Sequence, residues 1–249
     1  MKRWITPGIG LMALAAALLA CSITIPYGSG GGSVQGSGKL VSEDRSVSGV
    51  AEAELAMGGT LHIVIGDHES LRIEAEDNLL PFIETVMRGD MLLIRTQAGT
   101  NVQSTRSIEY WLTVNELTGL SVSSSGDILA SSIEGNRCRI DISSSGGISL
   151  DSVDCTTLTV SITSSGNAEI AGGSAEQQNI RISSSGDYRA GDVVGSDADI
   201  TISSSGSATV NVSESITGSI NSSGFIYYFG DPRVNVRTSS SGGVEKLGN

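Results

Sequence analysis

The stretch that decides the fold runs from Leu120-Ser121-Val122-Ser123-Ser124-Ser125-Gly126 through Ile140-Asp141-Ile142-Ser143-Ser144-Ser145-Gly146, and its phrase returns at Gly166, Gly186, Gly206, Gly224 and Gly242. The first four intervals between these glycines are 20 residues and the last two are 18. A fixed period of this length marks stacked repeats, in which one unit cannot bury its apolar face alone and its neighbours complete it.

Within a repeat, β-branched and aliphatic residues alternate with polar ones ahead of the glycine: Leu120/Val122, Ile140/Ile142, Val160/Ile162, Ile180/Ile182 and Ile200/Ile202. That is the pattern of a strand with one buried face. A second apolar pair follows the glycine (Ile128/Ala130, Ile148/Leu150, Ala168/Ile170, Tyr188/Ala190, Ala208/Val210), and a third inward position holds Ile133, Val153 and Val193. Three short strands per turn, each pairing in parallel with its equivalent one turn on, describe an all-β chain: a single-stranded parallel β-helix of about 20 residues per turn. Right-handed winding is expected from the general preference of parallel crossovers.

Each Ser-Ser-Gly reads as a corner, with glycine supplying a sharp turn and access to positive φ. By parity the middle serines Ser124, Ser144, Ser164, Ser184, Ser204, Ser222 and Ser240 point inward, where stacked hydroxyls can satisfy one another. A serine in every turn is structural rather than nucleophilic, because catalysis needs one serine singled out by a base.

The chain opens with Lys2 and Arg3, an apolar run from Leu11 to Leu19, and then Leu18-Leu19-Ala20-Cys21. The run is too short to span a membrane and reads as an export signal over residues 1–20. Residues 21–44 are rich in Gly and Ser without apolar period and read as a tether. Residues 45–118 are β-rich but irregular, with strands expected around 61–65, 71–75, 91–94 and 108–114 and a short helical turn at 78–84. Leu92/Leu112 and Ile94/Val114 are again 20 apart, so the coil is expected to begin there with atypical turns and to close one end of the regular repeats at 119–249.

The closing Leu18-Leu19-Ala20-Cys21 resembles the lipobox of bacterial lipoproteins. That resemblance implies cleavage before Cys21 and its acylation, and Ser22 after it favours the outer membrane. The lipobox, the tether, Glu76-Asp77-Asn78-Leu79-Leu80, the strand Met91–Ile94, and Leu112-Thr113-Val114 leading through Gly119-Leu120 into Ser124-Ser125-Gly126-Asp127 together resemble the putative auto-transporter adhesin, head GIN domain family over about residues 45 to 245. The resemblance implies a parallel β-helix in the cell envelope and supplies no catalytic residues. Asn115 stands where that family commonly has proline.

The formal net charge of −12 argues against nucleic acid as a partner, since phosphate neutralisation needs clustered Lys and Arg. It also makes an anionic lipid surface repulsive except through the acyl anchor. No zinc-type spacing, phosphate loop or nucleophile elbow is present, so no metal or cofactor is expected. Asp67-His68-Glu69-Ser70 looks chemical, yet neighbours in a turn point apart. Cys138 and Cys155 lie in successive turns at an offset of three residues, which leaves both a disulfide and two buried thiols open.

The one break in the pattern is Gly224-Phe225-Ile226-Tyr227-Tyr228-Phe229-Gly230. It places Phe225, Tyr227 and Phe229 outward by parity in a chain that is only 4% aromatic. Either they pack under the C-terminal residues or they form a platform for a glycan or protein ligand. The expectation is a non-catalytic, lipid-anchored envelope protein that acts in adhesion. The alternatives are a structural or stress-responsive envelope component and, from another class, a carbohydrate-active β-helix enzyme.

Overall fold

The computed structural model describes residues 32–248 and is an all-β parallel solenoid. Its leading part comprises β1 (Ser33–Gln35), β2 (Leu40–Arg45), β3 (Glu52–Ala56), β4 (Thr60–Ile65), β5 (Ser70–Glu76), β6 (Ile83–Arg88), β7 (Met91–Thr96), β8 (Asn101–Gln103) and β9 (Glu109–Val114). The repeats supply β10 (Gly119–Val122), β11 (Asp127–Ile142), β12 (Gly147–Ile162), β13 (Asn167–Ile170), β14 (Gly173–Ile182) and β15 (Asp187–Ile202). The last turns are β16 (Ser207–Ile220), β17 (Phe225–Phe229), β18 (Arg233–Thr238) and β19 (Gly243–Gly248).

Successive turns pair in parallel at the sequence period: Ile140 beside Val160, Val160 beside Ile180, and Ile180 beside Ile200. Between β11 and β12 the ladder skips one residue at Ser131/Asp151 and one at Asn136/Thr156, so this turn has three sides, parted by two single unpaired residues and by the Ser-Ser-Gly corner. Every apolar position expected to face inward in the five complete repeats is buried. The change of period from 20 to 18 is absorbed by two register shifts between β15 and β16, on either side of Val194–Gly195.

The Ser-Ser-Gly corners differ from expectation in two ways. None of the seven corner glycines has positive φ. What forbids a side chain there is the neighbouring turn: a Cβ on Gly166 would lie 2.7 Å from the Ser144 carbonyl oxygen and closer still to that of Gly146. The same crowding repeats at Gly146, Gly186, Gly206, Gly224 and Gly242. The middle serines, in turn, are half-buried rather than enclosed from Ser124 to Ser222 and exposed at Ser240, and no hydrogen bond joins one corner serine hydroxyl to the next among the described residues. The buried element of the corner is glycine, and backbone bonds carry the stack past it, as where Thr163 N–H donates to the Ile142 carbonyl at 2.9 Å.

The leading segment is threaded out of sequence order. The β3–β4 turn lies between the β10–β11 turn and the β7–β9 turn, pairing in parallel with both. Leu92 therefore sits beside Ala53 and Leu112 beside Ile63, on two sides of one turn, and their 20-residue spacing does not mark a stack. Antiparallel strands finish this end: β5 on β9, β6 on β7, and β2 on β5. Leu80–Phe82 forms a single 3-10 turn. Reversing strand direction at the last rung covers an edge that would otherwise template further parallel pairing.

The expected tether ends earlier than residue 44. Residues 33–35 and 40–45 are strands of the folded body, β1 on β8 and β2 on β5. Apolar pattern did not reveal them because their attachment is polar. Glu76 is enclosed and accepts from Gly38 N at 2.6 Å, Thr105 N at 2.9 Å and Thr105 Oγ1 at 2.5 Å. Ser37 Oγ donates to Asp77 at 2.6 Å, and Arg72 Nε donates to Asp44 at 2.8 Å. Residues 1–31, including Cys21 and the export signal, lie outside the described residues.

Two outcomes follow from these contacts. Gly166→Ala should destabilise the body by about 1–3 kcal/mol through overpacking, while Ser164→Ala should change stability by no more than about 0.5 kcal/mol; paired thermal or urea melts decide, and equal effects would refute the glycine column. The second outcome concerns acid. The Thr105 hydroxyl holds the Glu76 carboxyl below its usual range, Ser37 does the same for Asp77, and Arg72 for Asp44. Groups with depressed folded values stabilise above their unfolded values and lose that contribution as pH falls through the folded ones. Hydrogen-exchange protection across 33–45, taken relative to the intrinsic rate at each pH, should fall below about pH 4 while protection in 140–202 persists; a uniform fall would show that the carboxylates do not pin the cap selectively.

Candidate functional site

Strand β17 carries the aromatic run, and its register fixes what surrounds it. Phe225, Tyr227 and Phe229 lie between Ser207, Thr209 and Asn211 of β16 and Gly243, Glu245 and Gly248 of β19. Ile226 between them is fully buried, so the strand is pinned and the aromatic side is presented outward. Phe225 is 36% exposed, and its ring stacks on that of Tyr227 with centroids 5.9 Å apart and planes 13° from parallel. Gly243 gives the Phe225 ring room, since a Cβ there would come within 3.1 Å of it.

Phe229 is different. It is half-buried, as Tyr227 is, but its ring lies between two glycines, where a Cβ on Gly191 would approach it to 3.0 Å and one on Gly248 to 3.4 Å. Its ring is committed to packing between turns. Of the two readings the sequence left open, packing against the C-terminal strand applies to Phe229, and the pair Phe225–Tyr227 is what remains as a candidate platform.

A second aromatic pair lies toward the other end of the solenoid. Trp111 on β9 is 39% exposed and stacks on His62 of β4, with centroids 5.9 Å apart and planes 11° from parallel. His62 Nε2 lies 2.9 Å from Glu109 Oε2, while the other oxygen of that carboxylate accepts from Ser107 Oγ at 2.6 Å. On the opposite flank the Arg72–Asp44 ion pair borders a hollow of about 640 Å³ that Trp111 helps to line. Sequence reasoning passed over this pair although its signal was present. Trp111 alternates with the buried Tyr110 and Leu112, and His62 with the buried Leu61 and Ile63, so parity alone turns both outward.

The remaining candidates are structural in their contacts. The Glu69 carboxylate accepts from Gly49 N and Val50 N, each at 2.7 Å, which uses the acid of the Asp67–Ser70 turn to hold the backbone ahead of β3. Asp127 accepts from Gly147 N at 2.7 Å, and Asp187 from Ser207 Oγ at 2.6 Å, so acids that follow the corner glycines bridge to the next turn. Among the described residues no three His, Cys, Asp or Glu side chains converge in a metal-binding arrangement.

Cys138 and Cys155 are both buried and unbonded. Cys155 pairs with Gly135, three residues before Cys138, and the two thiols interact. Contact with Cys155 and then burial raise the Cys138 thiol, while the same contact lowers that of Cys155. Beside Cys155 an open groove of about 750 Å³ is bordered by Glu134, Asp154 and Glu176.

The family described as putative auto-transporter adhesin, head GIN domain matches residues 51–232 of the chain. No curated protein matches it. Among solved structures, a putative adhesin from Bacteroides fragilis superposes with a TM-score of 0.80 at 20% identity, covering 86% of this chain and 100% of that one. A protein from Parabacteroides distasonis described as a putative lipid binding protein gives 0.70 at 21% identity, covering 87% and 100%. A putative adhesin from the same organism gives 0.67 at 20% identity, again covering 87% and 100%. At such identities the likeness establishes a shared fold.

Proposed function

The chain belongs to the putative auto-transporter adhesin, head GIN domain family, and from that membership we propose that it is a non-catalytic adhesive module of the cell envelope, held to the outer membrane by an acyl group on Cys21. The observation that carries the reading is the stacked Phe225–Tyr227 pair on a rigid strand, with the Phe225 ring exposed and Tyr227 half-buried beside it. Exposed aromatics fixed by backbone pairing give contact area with little entropy to lose on binding. The partner is a glycan or a protein; the acidity of the chain disfavours nucleic acid.

Two other readings have less support. Lipid binding, the description of one structural relative, would need an apolar cavity, whereas the interior here is filled by stacked aliphatic side chains and the hollows are open to the surface. Membrane contact in our reading runs through Cys21 instead. A carbohydrate-active enzyme would need converging acids, whereas the carboxylates of the repeats are spaced along the axis and several are engaged with neighbouring turns.

Two measurements test the proposal. Cys21→Ala should release the chain from the membrane fraction and abolish incorporation of labelled fatty acid; a variant still acylated and membrane-bound would overturn the anchor. Residues 31–249 form one compact unit within which all the described strands pair, so they can be tested alone. On an array of glycans and matrix proteins this fragment should bind, and Phe225→Ala/Tyr227→Ala, checked to be folded, should lose roughly 30-fold in affinity if the pair is a binding hot spot. A native fragment that binds nothing would instead favour a structural envelope role.

A further inference from the structure

The two aromatic pairs are parts of one surface. Register places Trp111 beside His62, and His62 beside Leu129, which is 43% exposed. The same outward row continues through Ser149, Glu169 and Arg189, then through Thr209 to Tyr227. Seven strand-to-strand steps separate Trp111 from Tyr227, about 34 Å at ~4.8 Å per step. The parallel row beside it includes Asp127, Gly147, Asn167 and Phe225. Where the short residues Gly147 and Ser149 fall together, the face dips into a hollow of about 330 Å³ bordered by Leu129, Asn167, Glu169 and Arg189. The surface is a long face that dips to a shallow trough near its middle and carries an aromatic stack toward each end.

Its charge narrows the occupant. The two arginines are held by carboxylates, Arg72 by Asp44 and Arg189 by Asp187. Among the described residues, Glu74, Asp127, Glu169 and Glu245 on the same two rows have no ion-pair partner. A polyanion is therefore repelled and an amine-bearing chain is attracted. The strand spacing also resembles that of successive rings in an extended pyranose polymer, whose apolar ring faces recur along its length and suit flat aromatic stacks. Ammonium groups gain further from aromatic faces.

We propose that this trough binds a single extended polysaccharide bearing free amino groups, a glucosamine-type polymer, lying along the solenoid axis with one ring on Trp111–His62 and another on Phe225–Tyr227. This inference rests on the adhesive reading and deepens it by naming the ligand class and a second contact. The rigidity of the trough comes from the stack beneath it. Only a chain long enough to reach both aromatic pairs gains from both, so affinity depends on length.

The test is titration of residues 31–249 with glucosamine oligomers of increasing length, with their fully N-acetylated counterparts, and with heparin. Affinity for the glucosamine series should rise sharply once the oligomer spans both pairs, fall with added salt, and exceed that for the other two polymers. Trp111→Ala should lower it about tenfold or more for long oligomers and leave short ones bound at Phe225–Tyr227 little changed, while Trp111→Tyr should retain a stack and most of the affinity. Binding indifferent to length or to Trp111→Ala, preference for acetylated or anionic chains, or equal binding of polylysine would overturn the inference. If the fragment binds another array ligand through Phe225–Tyr227 but not the glucosamine polymer, the adhesive reading stands and this one falls; if it binds nothing, both fall.

Discussion

The structure depends on a contact that leaves no room for a Cβ. At each Ser-Ser-Gly corner the glycine of one turn lies against the carbonyls of the adjacent turn, and a Leu, Val or Ile methyl group closes the remaining space. Turns held at the strand spacing cannot tolerate a side chain there, whatever its chemistry. This one steric condition, repeated up a column, keeps the three sides of every turn in register. It also explains the invariance of glycine through the seven corners while the residue three before it varies among Ser, Thr and Asn at 123, 163 and 221.

Much of that was legible in the sequence. The period gave the stack, alternation gave the buried faces, and the burial of Leu120, Ile140, Val160, Ile180 and Ile200 follows the expected parity. The reason for the corner glycine was not legible, because φ and contact with a neighbouring turn leave the same residue in the same place. Nor was the leading segment. A period search sees spacing along the chain, whereas β3 and β4 insert between turns that are formed far later in sequence. Strand β2 and the residues before it escaped notice because Gly38 and Ser37 are held by Glu76 and Asp77, and Asp44 by Arg72, through charge-assisted bonds rather than by a regular apolar stripe.

The candidate site shows the same division. Phe225 and Tyr227 stood out because they interrupt a repeat, and interruption is a sequence property. Trp111 and His62 lie in a segment with no repeat to interrupt, so nothing marked them except parity. That the two pairs share a row is a property of register alone, visible only when every pairing between β9 and β17 is laid end to end. Phe229 shows the converse limit: parity turned it outward correctly, but two glycines on neighbouring strands take up its ring.

A solenoid of this kind favours linear recognition over catalysis for a geometric reason. Its side chains are presented at a constant interval along one axis, and short corners leave little loop with which to bring distant groups onto one atom. Chemistry at a point needs convergence within hydrogen-bond distance, whereas recognition of a polymer needs like contacts repeated at the polymer's own spacing. The engaged acids Asp127 and Asp187 illustrate this, each reaching only to the adjacent turn. The same backbone pairing that keeps the side chains apart makes the face straight and stiff, a geometry that suits the repeating partner proposed above.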